Sequence, residues 1–575
     1  MTANEREVRR VRSWPLGLLL GGLCFVVYLT NLRPMGAIDT MAARWLPFSV
    51  VRELDLDLDE FPWLQREDWG RAVMHGANGH ALSGYPVATP IAIAPLALPA
   101  VAWLRSRQIE DDDVRVRLVA IVVERIGAAL IAAASTTLVF LAAGALTRRP
   151  VAAGVALAYG LASGTWAISS QALWQHGLAE LCLSGLSLCL LRPGGRRRHA
   201  VAGGFAAIGV AARPTMVIFA LLGLCYVWRE RRDQLAVFLV LPFVVAGLLL
   251  AYNLGQAGAL AGGYAGMGVA FGWPTPTSLF GLLLSPNRGL FVYTPAAALA
   301  LIALAQRRVP ATWLWYLFAG MAAHLLVFAC FRDWWAGNVY GPRYLVDILP
   351  ALALCAVPVV DQLWRRPAGR ATLLALTLWG VAVQAIGVYT DDGSWSVTPY
   401  TITSKPERAW DWSDLQIVRA ARAGWHGGEL APLLWQMMTD PRPARLRELP
   451  PEALAGAITV AAEPPLRARA GGRLPLELRV ANHGASAWPS FSDYGRLQVG
   501  VLARWWRGGT PREDVGQLIP LPRNVGPDEA EAVAAQLEAP PQAGPHELEL
   551  MVVQEIDLTH GVFGGASLRI PVVVE

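Results

Sequence analysis

The chain has 575 residues, of which 54% are hydrophobic and 16% charged, with a formal net charge of +5. Repeated apolar runs of about 20 residues, the length that crosses ~30 Å of hydrocarbon, indicate a polytopic α-helical membrane protein and exclude a soluble enzyme. Positive charge rests on arginine, Lys405 being the only lysine, and the arginines sit in short loops as the positive-inside bias expects, so the basic balance does not imply nucleic-acid binding.

Residues 1–13 form a basic cytoplasmic arm carrying Arg6, Arg9, Arg10 and Arg12. The first apolar segment, 14–33, is long, ends at Asn31-Leu32-Arg33 and has no Ala-x-Ala cleavage site, which favours an uncleaved anchor over a signal peptide. Residues 34–86 are the first external loop. Further apolar segments follow at 87–104, 119–146, 150–168, 174–192, 200–212, 215–228, 234–254, 290–306, 311–331, 343–363 and 370–390. Basic clusters at 192–198, 228–232, 307–308 and 365–370 are cytoplasmic if alternate loops face out, which puts 169–175, 255–289, 332–342 and everything past 390 on the far side. Twelve crossings would return the carboxyl terminus to the cytoplasm, so one segment is expected not to cross. The candidate is 87–104, interrupted by Pro90, Pro95 and Pro99, because proline removes helical hydrogen bonds; eleven crossings then remain. All six cysteines lie in apolar segments and read as inert packing residues, without metal or disulfide spacing.

After residue 390 the apolar runs stop. Residues 391–455 form an extramembrane connector rich in Trp, Pro and charge. Residues 456–575 carry short alternating strands such as Leu476-Glu-Leu-Arg-Val and Leu548-Glu-Leu-Met-Val separated by Gly/Pro turns, the spacing of an immunoglobulin-like β-sandwich. Trp505 and Trp506 are either core residues of that sandwich or platforms for sugar faces.

Chemistry is expected first at Asp39, just past the opening hydrophobic segment. Met41, Trp45, Phe48 and Val51 recur at near-helical spacing, so the following stretch can lie on the bilayer interface with Arg44 and Arg52 on its polar side. A carboxylate pinned at that depth can act as general base toward an acceptor hydroxyl. Asp55, Asp57, Asp59 and Glu60 read first as a solvated acidic face, although such oxygen donors also suit calcium or magnesium. On the same predicted side lie His176, Arg213, Arg288, Arg332, Asp333, Tyr340 and Arg343. Ionisable residues at membrane depth are costly and mark functional paths, and with lysine all but absent arginine is the main phosphate ligand.

Several phrases carry a resemblance: Asp39-Thr-Met-Ala-Ala-Arg-Trp-Leu-Pro-Phe-Ser, Tyr85-Pro86 before a proline-rich apolar segment, Trp174-Gln-His-Gly, Ala211-Ala-Arg-Pro214 and Gly341-Pro-Arg-Tyr-Leu. Over about residues 10 to 390 the chain resembles the GT-C superfamily of integral-membrane glycosyltransferases, in particular the protein O-mannosyltransferase and lipid A aminoarabinose transferase branch, including bacterial members. The resemblance implies inverting transfer of one sugar from a polyprenyl-phosphate donor to an acceptor of the cell envelope, on the external face of the bacterial cytoplasmic membrane. Asp39 would be the catalytic base, and Arg44, Tyr85, His176, Arg213, Arg288, Arg332, Asp333, Tyr340 and Arg343 would contact lipid phosphate or sugar. Relatives often show two adjacent acids where Ile38-Asp39-Thr40 offers one, so no metal ligands are assigned, and magnesium or manganese stays open. No redox cofactor is implied. The carboxyl-terminal phrases Asn482-His-Gly-Ala-Ser-Ala-Trp488 and Leu521-Pro-Arg-Asn-Val-Gly-Pro527 resemble an immunoglobulin-like module appended to bacterial glycosyltransferases.

Two other classes fit the same pattern. A polytopic lipid or solute transporter, or flippase, also uses broken helices at membrane depth. A non-catalytic membrane scaffold would tolerate loss of Asp39 and Arg213 together.

Overall fold

The computed structural model describes residues 13–66, 71–266, 270–492, 496–511, 516–555 and 561–575; the basic arm, save Ser13, lies outside them. The chain divides into two compact units, Met1–Val101 with Val123–Gly427, and Ala102–Val122 with Gly428–Glu575.

The first unit is helical. Its main helices are α1 (Trp14–Leu29), α2 (Met41–Arg52), α3 (Ala88–Ser106), α4 (Val114–Ala143), α5 (Arg149–Leu161), α6 (Gln175–Leu191), α7 (Arg196–Ala212), α8 (Val217–Glu230), α9 (Leu235–Tyr252), α10 (Ala298–Ala305), α11 (Thr312–Ala329), α12 (Leu349–Trp364) and α13 (Pro367–Tyr389), with the ends of α3 and α4 passing into the second unit. Among the described residues, 6 helices are long and apolar enough to cross a membrane: Ala88–Ser106, Val114–Ala143, Arg232–Ala257, Thr312–Ala329, Arg343–Trp364 and Pro367–Tyr389. Trp14–Leu29, Gln175–Leu191 and Pro295–Ala305 are shorter apolar helices. The expected segments 200–212 and 215–228 are short helices that meet at the Arg213-Pro214 turn.

Small residues bring α1 against α4. A Cβ on Gly21 would fall 2.7 Å from the Ala133 carbonyl oxygen, so only glycine lets the two backbones approach this closely. The pair is antiparallel: Thr137 donates to the Gly17 carbonyl at 3.0 Å, and Arg125 donates to the Tyr28 carbonyl at 2.9 Å. The chain between Leu29 and Arg125 thus leaves and returns at one end of the pair. Tyr85, three residues before α3, bonds to Asp39 at that same end. By length and composition α3 is one of the candidate spans. The expected interruption by proline is corrected: α3 is one continuous helix of 19 residues with Pro95 and Pro99 inside it.

The stretch 391–455, expected to be one connector, divides between the units. Its first part packs with the helices: the Asn287 amide donates to the carbonyls of Arg408 at 2.9 Å and Asp411 at 3.0 Å, and Trp395 is buried.

The first unit also carries a hairpin of β1 (Val73–His75) and β2 (Ala81–Ser83), and the second unit is β-rich. One sheet has the order β4 (Leu466–Ala468), β11 (Gly561–Val574), β10 (Gly544–Glu555), β6 (Val499–Arg507), β7 (Thr510–Pro511), with β8 (Gln517–Pro520) also on β6. The other runs β3 (Gly456–Val460), β5 (Arg473–Asn482), β9 (Ala530–Glu538). Strand β5 alternates buried and exposed residues, the period-two pattern that turns Leu474, Leu476, Leu478 and Val480 inward. They share a core with Val501, Trp505 and Leu550 of the larger sheet. Trp505 is therefore a core residue, and Trp506 is engaged at the ring by Arg569 and at Nε1 by Glu549, so neither is a free platform for sugars.

Candidate functional site

A cleft of about 1150 Å³ opens in the helical unit. Asp39, Tyr85, His176, Arg213, Asp333 and Arg343, all expected from the sequence, line it.

Asp39 sits in a tight turn, Ile38–Thr40, whose end is held by a 2.9 Å bond from the Thr40 backbone N–H to the Ala37 carbonyl and which leads directly into α2. The following helix is buried through Met41, Trp45 and Phe48, so the carboxylate is anchored from behind. Tyr85 Oη donates to Asp39 Oδ1 at 2.8 Å, and Arg343 Nη1 donates to Oδ2 at 2.7 Å. The Asp39 side chain remains 34% exposed. Burial pushes its carboxyl up, but the Arg343 guanidinium and the Tyr85 hydroxyl outweigh burial and hold it below the usual carboxylate range. Burial and the adjacent carboxylate push the Tyr85 phenol up, so it stays a proton donor. Arg343 lies over the Trp174 ring at 4.9 Å, a cation–π contact that fixes its plane.

Arg343 owes its position to the turn before it. Gly341 has φ +72, and a Cβ there would meet the Tyr293 ring at 2.8 Å; both demands select glycine. A tight helical turn, Arg343–Ile348, then presents Arg343 and Asp347 just ahead of α12.

Asp347 forms a second charged locus. Fully buried, it accepts from His176 Nδ1 at 2.7 Å and from Arg213 Nε, while His324 Nε2 lies 3.6 Å away. Arg213 follows the last residue of α7, where Pro214 prevents helical continuation and its backbone turns extended. Its guanidinium lies 5.5 Å from the Phe328 ring centroid. His176 lies in the first turn of α6, and Tyr264 Oη donates to the neighbouring Gln175 Oε1 at 2.8 Å.

Four expected contacts fall elsewhere. Arg44 is not on a polar surface: α2 is buried on that side too, and Arg44 Nε pairs with buried Glu124 at 2.6 Å. Arg288 is consumed by structure, donating to the Trp335 carbonyl at 2.9 Å and lying over Trp395 at 4.8 Å. Arg332 is exposed and does not line the cleft. Tyr340 is buried with its hydroxyl on the Val383 carbonyl at 2.8 Å. The reading of the sequence missed Asp347 and Tyr264, and named Trp174 only within the phrase that carries His176. For Asp347 a signal existed, an acid at the start of an apolar segment, a position where charge is costly.

Two groups among the described residues could hold a metal ion, Asp57 with Asp59 and His80, and Asp55 with Asp57 and Glu60. Neither contains a residue that lines the cleft. At Asp39 itself the two oxygens face a hydroxyl and a guanidinium, and Asp39 belongs to neither group. No protein-family model and no curated protein sequence matches the chain.

Proposed function

We propose that the protein is an integral-membrane glycosyltransferase that moves one sugar from a polyprenyl-phosphate donor to an acceptor hydroxyl of the cell envelope. The observation that carries this reading is the cleft in which a partly exposed carboxylate, Asp39, faces two arginines, Arg343 and Arg213, held by separate devices. Paired guanidiniums suit the oxygens of a phosphodiester, and a carboxylate beside them suits removal of a proton from an attacking hydroxyl.

In the proposed reaction the acceptor oxygen attacks the anomeric carbon from the face opposite the phosphate. Its proton passes to Asp39 as the bond from the anomeric carbon to the phosphate oxygen breaks. The electron pair leaves with the lipid phosphate, whose added charge Arg343 and Arg213 stabilise. The donor phosphate competes with Asp39 for Arg343, which frees Oδ2 to take the proton. Asp347 acts behind this set by holding Arg213 and His176 in place.

The exposed apolar residues of α9, among them Phe243, Val244 and Leu248, support insertion in a bilayer. We read the cleft as facing the external side of a bacterial cytoplasmic membrane and the β-rich unit as an immunoglobulin-like module outside it.

Purified protein incubated with a polyprenyl-phosphate sugar and an envelope extract is expected to consume the donor and release polyprenyl phosphate. Asp39→Asn is expected to lower turnover by a factor on the order of 10²–10⁴ while donor binding persists. Donor that is moved across a vesicle membrane unchanged would establish a transporter and overturn the reading; normal turnover in Asp39→Asn would overturn the base assignment.

A further inference from the structure

A second cavity of about 440 Å³ lies in the helical unit and shares no lining residue with the cleft. It follows α12 from Leu349 to Trp364, a helix of 16 residues, which at 1.5 Å per residue spans ~24 Å. Its other walls come from α5, α10 and α13, and nearly all of its surface is apolar, as at Val155, Leu352, Ala356 and Leu373. Arg370 is the one charged residue that lines it.

The helix ends around Arg370 carry an excess of positive charge. Arg148 and Arg149 open α5, Arg365 and Arg366 join α12 to α13, and Arg370 stands in the first turn of α13. Asp361 binds two of them, Arg365 at 2.6 Å and Arg148 at 3.5 Å. Arg366 and Arg370 are exposed and have no acidic partner among the described residues. Trp364 closes the same end of the cavity. Tryptophan and unmatched arginine together mark the headgroup layer, and basic pockets between membrane helices take anionic lipid headgroups.

We propose that this cavity takes one acyl chain of an anionic glycerophospholipid, whose phosphate is held by Arg366 and Arg370. An apolar void of this size excludes water and admits hydrocarbon, and the unmatched cations at its mouth select a negative headgroup. The donor lipid does not meet the same requirement. A phosphate at Arg370 lies at the far end of α12 from Asp347, ~24 Å along that helix, out of reach of Asp39. The inference does not rest on glycosyl transfer.

The full-length protein, reconstituted in phosphatidylcholine nanodiscs containing a minor share of phosphatidylglycerol, is transferred to detergent and its retained lipid measured by native mass spectrometry. Phosphatidylglycerol is expected to be retained over phosphatidylcholine. Arg366→Gln and Arg370→Gln are each expected to lower retention about fivefold. Ala353→Phe, which fills the cavity, is expected to displace the lipid, whereas Asp39→Asn and Arg213→Ala leave it in place. Equal retention of the two lipids, or retention unchanged in both the arginine and the cavity variants, overturns the proposal. So does retention of added polyprenyl phosphate that Arg370→Gln abolishes, since the cavity would then belong to the donor.

Discussion

Arg343 donates to Asp39 across 2.7 Å although 304 positions separate them in the chain. The guanidinium does two jobs at once, since it restrains the carboxylate and, stacked on Trp174, stands where a phosphate can reach it.

The pH dependence of the proposed transfer follows from that pair. Because Arg343 and Tyr85 hold the Asp39 carboxyl low against the effect of burial, the base stays ionised below the usual carboxylate range. Arg343→Gln removes the counter-charge while burial remains, so the acid limb of kcat/KM is expected to move to higher pH, with kcat lower by a factor on the order of 10²–10³. A pH profile of the purified variant checks this; an acid limb that stays in place would show that Asp39 is not the titrating base.

Asp347 is bound to His176 and Arg213 at once, so these residues act as a unit. Asp347→Asn and Arg213→Ala are each expected to lower turnover, and the double variant to lose less than the sum of the two losses in free energy. Additive losses in a double-mutant cycle would separate Asp347 from the function of Arg213.

Arg44 is expected to matter for stability and not for turnover. Arg44→Ala leaves the buried Glu124 carboxylate without its partner at 2.6 Å, a loss of about 3–5 kcal/mol. Arg44→Ala with Glu124→Gln is expected to regain part of it. Thermal unfolding of the detergent-solubilised variants measures the effect, and activity per folded molecule is expected to stay within about twofold of the parent, because Arg44 does not line the cleft.

Asp391 provides a pH test of the fold. Burial and the neighbouring Asp392 push its carboxyl up to about 6, against the pull of Arg33 and Arg288. The folded chain therefore binds a proton more tightly than the unfolded chain does. Its contribution to stability is present below the ordinary carboxylate value and is lost as pH rises through about 6. Asp391→Asn is expected to raise Tm at pH 7.5, by an amount equivalent to roughly 3 kcal/mol, and to match the parent near pH 4. Equal Tm at both pH values would contradict the shift.

Much of the cleft is legible in the sequence because its residues interrupt apolar runs. Asp39 and Tyr85 flank the first long loop, Arg213 precedes a helix-stopping proline, and Arg343 follows a Gly-Pro turn. Each is a local departure from hydrophobic patterning. What stays hidden depends on partners distant in sequence. Arg44 and Arg343 both stand near an apolar segment, yet one meets Glu124 and the other Asp39, and no spacing tells these fates apart. Arg288 reads as a membrane-surface cation but is taken up by Trp395 and backbone carbonyls. Asp347 follows Leu345 and Val346 into a hydrophobic run, where pattern alone suggests a start of helix and not a hub for three side chains. The prolines of α3 predict a break that the helix does not make.

The long loop closed by Asp39 and Arg343 also sets an order of assembly. A nascent chain that has emerged only through its first three hundred residues holds the acid without its counter-ion, so the proposed sugar transfer would require that synthesis has passed the Gly341 turn. Fragments released earlier would hold Asp39 without Arg343 and lack half of the paired site.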